Sequence, residues 1–258
     1  MTKVLDKGFV ECQEIMGDEL LVVNSARVSF GKSKSIFEDK DQKLLRYLIR
    51  NQHFSPFRHV LLRFHIKAPE FVMRQWFKHI IGCEWSTPAA GFHAWNEISG
   101  RYVEMEEVYI PSSWRRQSKD NKQGSEMNDD VPKDHPLSVV LTSLYKQTIQ
   151  TSMDVYKNML ESGIAREQAR ILLPFSLYTE TIWTASFQAV MHFLSLRLDS
   201  HAQYEIRQYA EAIYGILVEK LPVLTKTWLE ETIDSIHNAV DNMDNIDTPD
   251  RLITPVRA

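Results

Sequence analysis

The strand-like run Val60-Leu61-Leu62-Arg63-Phe64-His65-Ile66 ends just before Pro69, and good helix formers follow at once. Proline suits a helix start, because the N–H it lacks is one that the first turn leaves unpaired anyway. The pair reads as a strand handing over to a helix from Pro69 to His79. On that helix Gln75, Lys78 and His79 share one face, with Arg74 one turn before Lys78, because residues three and four apart are neighbours. Two cations, an amide and an imidazole make a face too polar for a core. A second cluster, Asn96-Glu97-Ile98-Ser99-Gly100-Arg101-Tyr102, adds an acid, a hydroxyl, a glycine and another guanidinium. Fixed cations suit a phosphate, planar amides suit a base ring, and an acid suits ribose hydroxyls or ring N–H groups. The two clusters outline a nucleotide pocket.

Upstream, Glu19–Val23 and Ala26–Phe30 are β-prone, and Ser29 with Gly31 is either a phosphate contact or a plain polar turn. Asp39–Asn51 carries Leu44, Leu45, Leu48 and Ile49 at helical spacing, as a packing helix does. His53–His59 reads as a loop. His53, His59 and His65 lack the ligand spacing and the Cys or acid that would complete a metal set, so no metal is expected. His53 and Ser55 are either ligand contacts or satisfied loop groups. Ile80–Trp95 has no clean period and reads as a loop or short helical excursion. Within it Cys83 has no base at readable spacing and is better an apolar filler than a nucleophile. Asn96–Tyr102 reads as a turn into a strand that continues through Tyr109-Ile110, and Ser112–Pro136 as a long loop, either solvated or a lid carrying Arg115 and Arg116.

From Leu137 onward the pattern is mostly helical. Leu137–Glu161 is closed by Gly163, and a short helix from Ala165 carries Arg166 and Arg170 one turn apart before Pro174. Thr181–Thr184 is β-prone, Phe187–Leu198 is helical, and Asp199-Ser200 would cap a helix over His201–Lys220. One domain over residues 1–236 and an acidic tail over 237–258 are expected. A net charge of −4 over 258 residues argues against a chain whose main business is coating nucleic acid. Cys12 and Cys83 form no CxxC, which suggests reduced thiols. With no signal-like start and no run of membrane-span length, a soluble cytoplasmic protein is expected, with no membrane partner.

Three ordered motifs carry a family likeness: Arg74-Gln75-Trp76, Asn96-Glu97-x-Ser99-Gly100-Arg101-Tyr102, and Leu196-Arg197-x-Asp199-Ser200-His201-Ala202-Gln203-x-Glu205. Ala26–Phe30, His53-x-Ser55-Pro56-Phe57 and Ala165-Arg166-Glu167-x-Ala169-Arg170 stand in the same order around them. In these the chain resembles the flavin-dependent thymidylate synthases. The resemblance implies a single α/β domain, with a central, mostly antiparallel sheet flanked by helices and a helical C-terminal half. It implies a homotetramer with FAD in sites shared between subunits. The reaction implied is methylation of dUMP to dTMP, with methylenetetrahydrofolate giving the carbon and NADPH reducing the flavin.

The resemblance also assigns residues. Gln75, Trp76 and Lys78, the run Glu97, Ile98, Ser99, Gly100 and Arg101, and then Arg170 and Arg197 match the dUMP-binding set. Ser55, Lys78, His79, Glu97 and His192 fall at FAD-contacting positions; Ser29, His53 and His201 lie near the flavin, as do Ser186 and Gln188. Arg197 matches the residue that meets the pyrimidine at N3 and activates it. The chemistry of the residues agrees: without an activated thiolate to add at C6, a fixed cation can polarise the ring. Arginine keeps its charge at neutral pH, so its part is electrostatic. Lys78-His79-Ile80 departs from the family's Arg-His-Arg signature, and an insertion follows it. Ser186, Gln188 and His192 also depart, all on the flavin and folate side. Two other readings stay open: a flavin- and folate-dependent pyrimidine nucleotide hydroxymethylase, and a non-catalytic nucleotide- or RNA-binding relative.

Overall fold

The computed structural model describes residues 1–80, 94–119, 122 and 124–232; Cys83, most of the insertion and the acidic tail lie outside these. In chain order the elements are β1 (Thr2–Val4), β2 (Gly8–Met16), α1 (Glu19–Arg27), α2 (Asp39–Arg50), β3 (Leu61–Pro69), α3 (Glu70–Trp76) and β4 (Ala94–Glu97). They continue with β5 (Trp114–Gln117), β6 (Ser125–Val131), α4 (Pro136–Glu161), α5 (Arg166–Ala169), β7 (Tyr178–Ser186), α6 (Phe187–Arg197) and α7 (Tyr204–Lys220). A further helical stretch covers residues 222–232. Five strands form one antiparallel sheet in the order β1-β2-β3-β7-β4, and β5 and β6 form a separate hairpin. This is the α/β architecture that the resemblance implied.

The sheet follows from a two-residue period. Leu62, Phe64, Ile66 and Ala68 of β3 are fully buried, while Arg63 between them is exposed. Phe64 pairs with Trp183 of β7, and Trp183 pairs in turn with Trp95 of β4, so the three rings lie on one face. Trp183 stacks on Trp95 at 5.2 Å and on Phe64 at 5.8 Å. Trp76 of α3 meets Trp183 edge-on and stacks on Phe193 of α6 at 4.4 Å, which binds two helices to that face. Burying a ring of this size contributes roughly 2–3 kcal/mol from area alone. The strand-to-helix handover at Pro69 is as read: Pro69 ends β3 and caps α3, and Glu70 N–H donates to the Leu177 carbonyl.

Several local readings change. Glu19–Val23 and Ala26–Phe30 form α1 and a 3-10 turn, not strands. Gly17 turns the chain at φ +91°, and the Asp18 carboxylate accepts from Leu21 N–H at 2.8 Å, so a cap overrides β propensity. Ser55–His59 is a 3-10 turn. At β4 the strand precedes Ser99, and Ser99–Val103 is a turn in which the Tyr102 and Val103 N–H groups donate to the Ser99 carbonyl. Ser112–Pro136 contains a hairpin rather than a loop. Trp114 anchors it from outside, packing edge-on against Tyr145 and donating Nε1–H to Thr142 at 2.9 Å. The last helix of that set begins at Tyr204, because Asp199 is spent on the His201 N–H at 2.7 Å and ends in a local turn. Gly163 does close α4, at φ +80°. Among the described residues no helix is long and apolar enough to cross a membrane.

Candidate active site

α3 stops at Trp76, a dUMP candidate whose side chain is instead buried in the aromatic core. The chain then tightens into a turn in which the Lys78 and His79 N–H groups donate to the Gln75 and Trp76 carbonyls. The expected shared face of Gln75, Lys78 and His79 is therefore not formed. Lys78 is exposed, Gln75 reaches Gln203, and His79 folds inward to 6% exposure. Arg74 points elsewhere again, into a cavity of about 400 Å³ that it lines with Glu70, Glu97, Ser99, Gly100 and Arg170. Gln75, Lys78 and Arg197 are not among the walls of that cavity.

His79 meets the last of the candidates. Its Nδ1 lies 3.1 Å from the carbonyl oxygens of Gln75 and Trp76, and carbonyls only accept, so Nδ1 carries the proton. Nε2 is then an acceptor, and Arg197 donates to it from Nε at 3.1 Å. Burial is the largest cause of the lowered His79 pKa; the Trp76 carbonyl opposes it, and the charges of Arg197 and His192 add to it. A neutral imidazole thus holds a cation by one edge. Arg197 is half-buried and burial lowers its pKa from 12.5, yet among the described residues no carboxylate faces its guanidinium.

Around the cavity, Glu97 accepts from the buried Thr179 hydroxyl at 2.7 Å, and Ser99 Oγ accepts from the Arg101 N–H at 3.3 Å. Ile98 is partly exposed, Gly100 is buried against Arg170, and Arg101 stands 4.0 Å from Glu167. Glu70 is a wall that sequence reasoning missed. Burial raises its pKa first and Glu97 raises it further, while Arg74 opposes both. Its place four residues before Arg74 on one helix was the available signal.

The flavin candidates divide by exposure. Ser29, His53, Ser55 and His201 are exposed, His53 standing edge-on to Tyr47 and His201 bonded to Asp199. The 3-10 turn that begins at Ser55 packs between α1 and α6, which places it beside the helix of His192 and Arg197. His192 is half-buried, its ring 6.5 Å from that of His79, and burial lowers its pKa. Ser186 and Gln188 are buried: Ser186 Oγ caps α6 through the Ala189 N–H, and Gln188 Oε1 accepts from Arg58 Nε at 2.6 Å.

The family model described as thymidylate synthase complementing protein matches residues 12–223. The chain belongs to the flavin-dependent thymidylate synthases. It is 45% identical to the flavin-dependent thymidylate synthase of Kosmotoga olearia over 228 residues, which is 88% of this chain and 92% of that one. It is 43% identical to the one from Thermosipho africanus, over 88% of this chain and 93% of the relative. Among solved structures, it is similar to a UMP/dUMP methylase, PolB from Streptomyces cacaoi, bound with 5-Br dUMP. That likeness has a TM-score of 0.72 and 29% identity, and it covers 88% of this chain and 97% of that one. Two residues that this flavin-dependent thymidylate synthase family member buries together went unpaired in the sequence reading. Arg115, read on a loop that is either solvated or a lid, is held in β5 and donates to Glu205 of α7 at 2.7 Å. Nothing local in the sequence joins positions ninety residues apart.

Proposed function

We propose that the chain methylates dUMP to dTMP, with bound FAD, methylenetetrahydrofolate as carbon donor and NADPH as the reductant of the flavin. The observation that carries this reading is Arg197: a half-buried guanidinium, fixed through Nε by a neutral His79 and without a carboxylate among the described residues. Such a cation is ready to stabilise negative charge on a pyrimidine without having to reorganise. Arg74, Arg101 and Arg170 stand around the Ser99–Gly100 turn, where a phosphate needs charge and backbone N–H groups. Cys12 offers no nucleophile, since burial pushes its thiol pKa up.

The donor set suits FAD. The Ser29 and Ser55 hydroxyls, the His53 imidazole and the Lys78 cation are exposed, and His192 stands beside the Arg197 pocket. These give a dinucleotide the charge and hydrogen bonds that its pyrophosphate and ring edges require. When bound, the flavin supplies the hydride. The chain positions dUMP with the Gln75, Glu97–Arg101 and Arg170 groups and biases its charge with Arg197.

A homotetramer completes the site in this reading. The dUMP candidates fall into two groups, one at the cavity of Glu97, Ser99, Gly100 and Arg170 and one at Gln75 and Arg197, the latter held by His79. A second copy can bring one group to the other. Leu137, Val140, Leu141 and Leu144 make an exposed apolar stripe along α4, between 37% and 53% exposed, which supports a partner surface there.

The test is anaerobic. The purified protein is reduced with NADPH, given dUMP and methylenetetrahydrofolate, and the pyrimidine product is weighed. A methyl mass with flavin reoxidation is expected. A hydroxymethyl mass, or no product from a flavin-loaded protein, overturns the proposal.

A further inference from the structure

We infer that Glu205 is a positioning residue that decides which end of the Gln75 amide faces the nucleotide, acting through Gln203. The inference rests on the reading of Gln75 as a dUMP contact. Four side chains from three elements and the turn before α7 form a chain of hydrogen bonds. Arg115 donates to both Glu205 oxygens, at 2.7 and 3.0 Å, and lies over the Tyr204 ring at 5.0 Å. The Tyr109 hydroxyl also donates to Glu205, at 3.2 Å. Gln203 donates Nε2–H to Glu205 at 2.9 Å, and Gln75 donates Nε2–H to Gln203 Oε1 at 2.5 Å.

The polarity of this chain follows from chemistry. An amide's oxygen and nitrogen have nearly the same shape, so neighbours must decide its orientation. Glu205 is 3% exposed, and its carboxylate, paired with Arg115, can only accept. The Gln203 atom nearest to it must therefore be the NH₂ group, which turns the Gln203 oxygen toward Gln75. Gln75 answers with its own NH₂, and the Phe71 carbonyl, 3.4 Å away, is a second acceptor on that side. The Gln75 oxygen is left as an acceptor that no donor among the described residues meets. A negative charge at the buried end thus sets the sign of a hydrogen-bonding group at the exposed end. dUMP meets an acceptor at Gln75, with the donor Arg197 supplied by the end of α6.

A polarity-reversal cycle tests this. Gln75→Glu puts a carboxylate against the Gln203 oxygen, and Gln203 can turn only by presenting its oxygen to Glu205. Glu205→Gln removes that obstacle. The double variant should therefore have a KM for dUMP at least about tenfold lower than Gln75→Glu alone, one well-made hydrogen bond's worth, with flavin content equal in both. Gln203→Met leaves the Arg115–Glu205 pair intact and sits at an exposed position. It should raise KM for dUMP by more than it lowers kcat, and it stands alone as the test if Glu205→Gln does not fold. Effects of the two single changes that simply multiply, or a Gln203→Met enzyme with the KM of the parent, overturn the inference while the function stands. A parent protein that neither binds nor turns over dUMP removes both.

Discussion

At the scale of single residues, the Arg197–His79 contact divides the work between a charge and the group that aims it. Arg197→Ala should lower dTMP formation by about a thousandfold, as loss of a preorganised charge does, while the protein stays yellow. Loss of the flavin absorbance in that variant would place Arg197 on the cofactor instead. His79 makes the arrangement pH-dependent. Its folded-state pKa lies below the usual 6.5, so the folded protein resists a proton that the unfolded chain accepts. The contribution is whole above pH 6.5 and is lost as pH falls through the lowered folded value. Protonation there also removes the acceptor for Arg197 and sets two cations edge to edge. The rate should therefore fall on the acid side of 6.5, and His79→Gln should flatten that limb in a plot of kcat/KM against pH. An unchanged acid limb would assign it to another group. The family resemblance assigned His79 to the flavin and Arg197 to the pyrimidine, but nothing in composition or spacing joins them, since 118 residues separate them and the contact depends on α3 ending at Trp76.

Elements show where sequence reading succeeds and why it stops. β3 and α2 were legible because each has a sustained period of two or of three to four and buries one face, and α6 because its apolar run, buried nearly all round from Phe187 to Leu194, is of helix length. α1 was misread as β-prone runs: Leu21, Val22 and Val23 favour strands, and the Asp18 cap that reverses this is one residue. The β5–β6 hairpin was hidden for the opposite reason, because its anchor, the packing of Trp114 of β5 against Thr142 and Tyr145 of α4, is tertiary. The ends of α1 and α2 are tied by Asp41, fully buried, which accepts from Arg27, from Lys34 and from the Glu38 N–H at 2.9 Å. Burial alone would raise its carboxyl; Arg27, the Glu38 N–H and Lys34 bring it down to about 2. A depressed carboxylate gives stability above its unfolded value of 3.8 and loses it as pH falls from there through about 2. Asp41→Asn should destabilise the fold by about 2 kcal/mol at neutral pH and flatten the melting temperature between pH 4 and pH 2 relative to the parent. A variant melting like the parent at neutral pH would show that the tie is slack. The segment it frames carries Ser29, so flavin affinity should fall with it.

For the whole molecule, the telling feature is the exposed stripe on α4. A helix of 26 residues buries Ser138, Ile149, Met153 and Tyr156 and meets Trp114 at Thr142, yet near its start it leaves Leu137, Val140, Leu141 and Leu144 uncovered by the described residues. Val140→Asp with Leu144→Asp should reduce the mass seen by light scattering and lower activity in parallel, because the two groups of dUMP candidates would no longer meet. A variant of unchanged mass would move the interface elsewhere. Another consequence concerns chain length rather than chemistry. The chain leaves the site at His79, held by Arg197, and is back in register at β4, where Ala94 pairs with Thr184 and Glu97 with Thr181. The chain is thus pinned at His79 before the insertion and at Asn96 and Glu97 after it. Lengthening a connection between fixed ends costs only about 0.6 kcal/mol per doubling. A change of length between these two fixed ends would therefore leave Arg197 and Ser99 where they are, so that this connection can vary in length at little cost to the site.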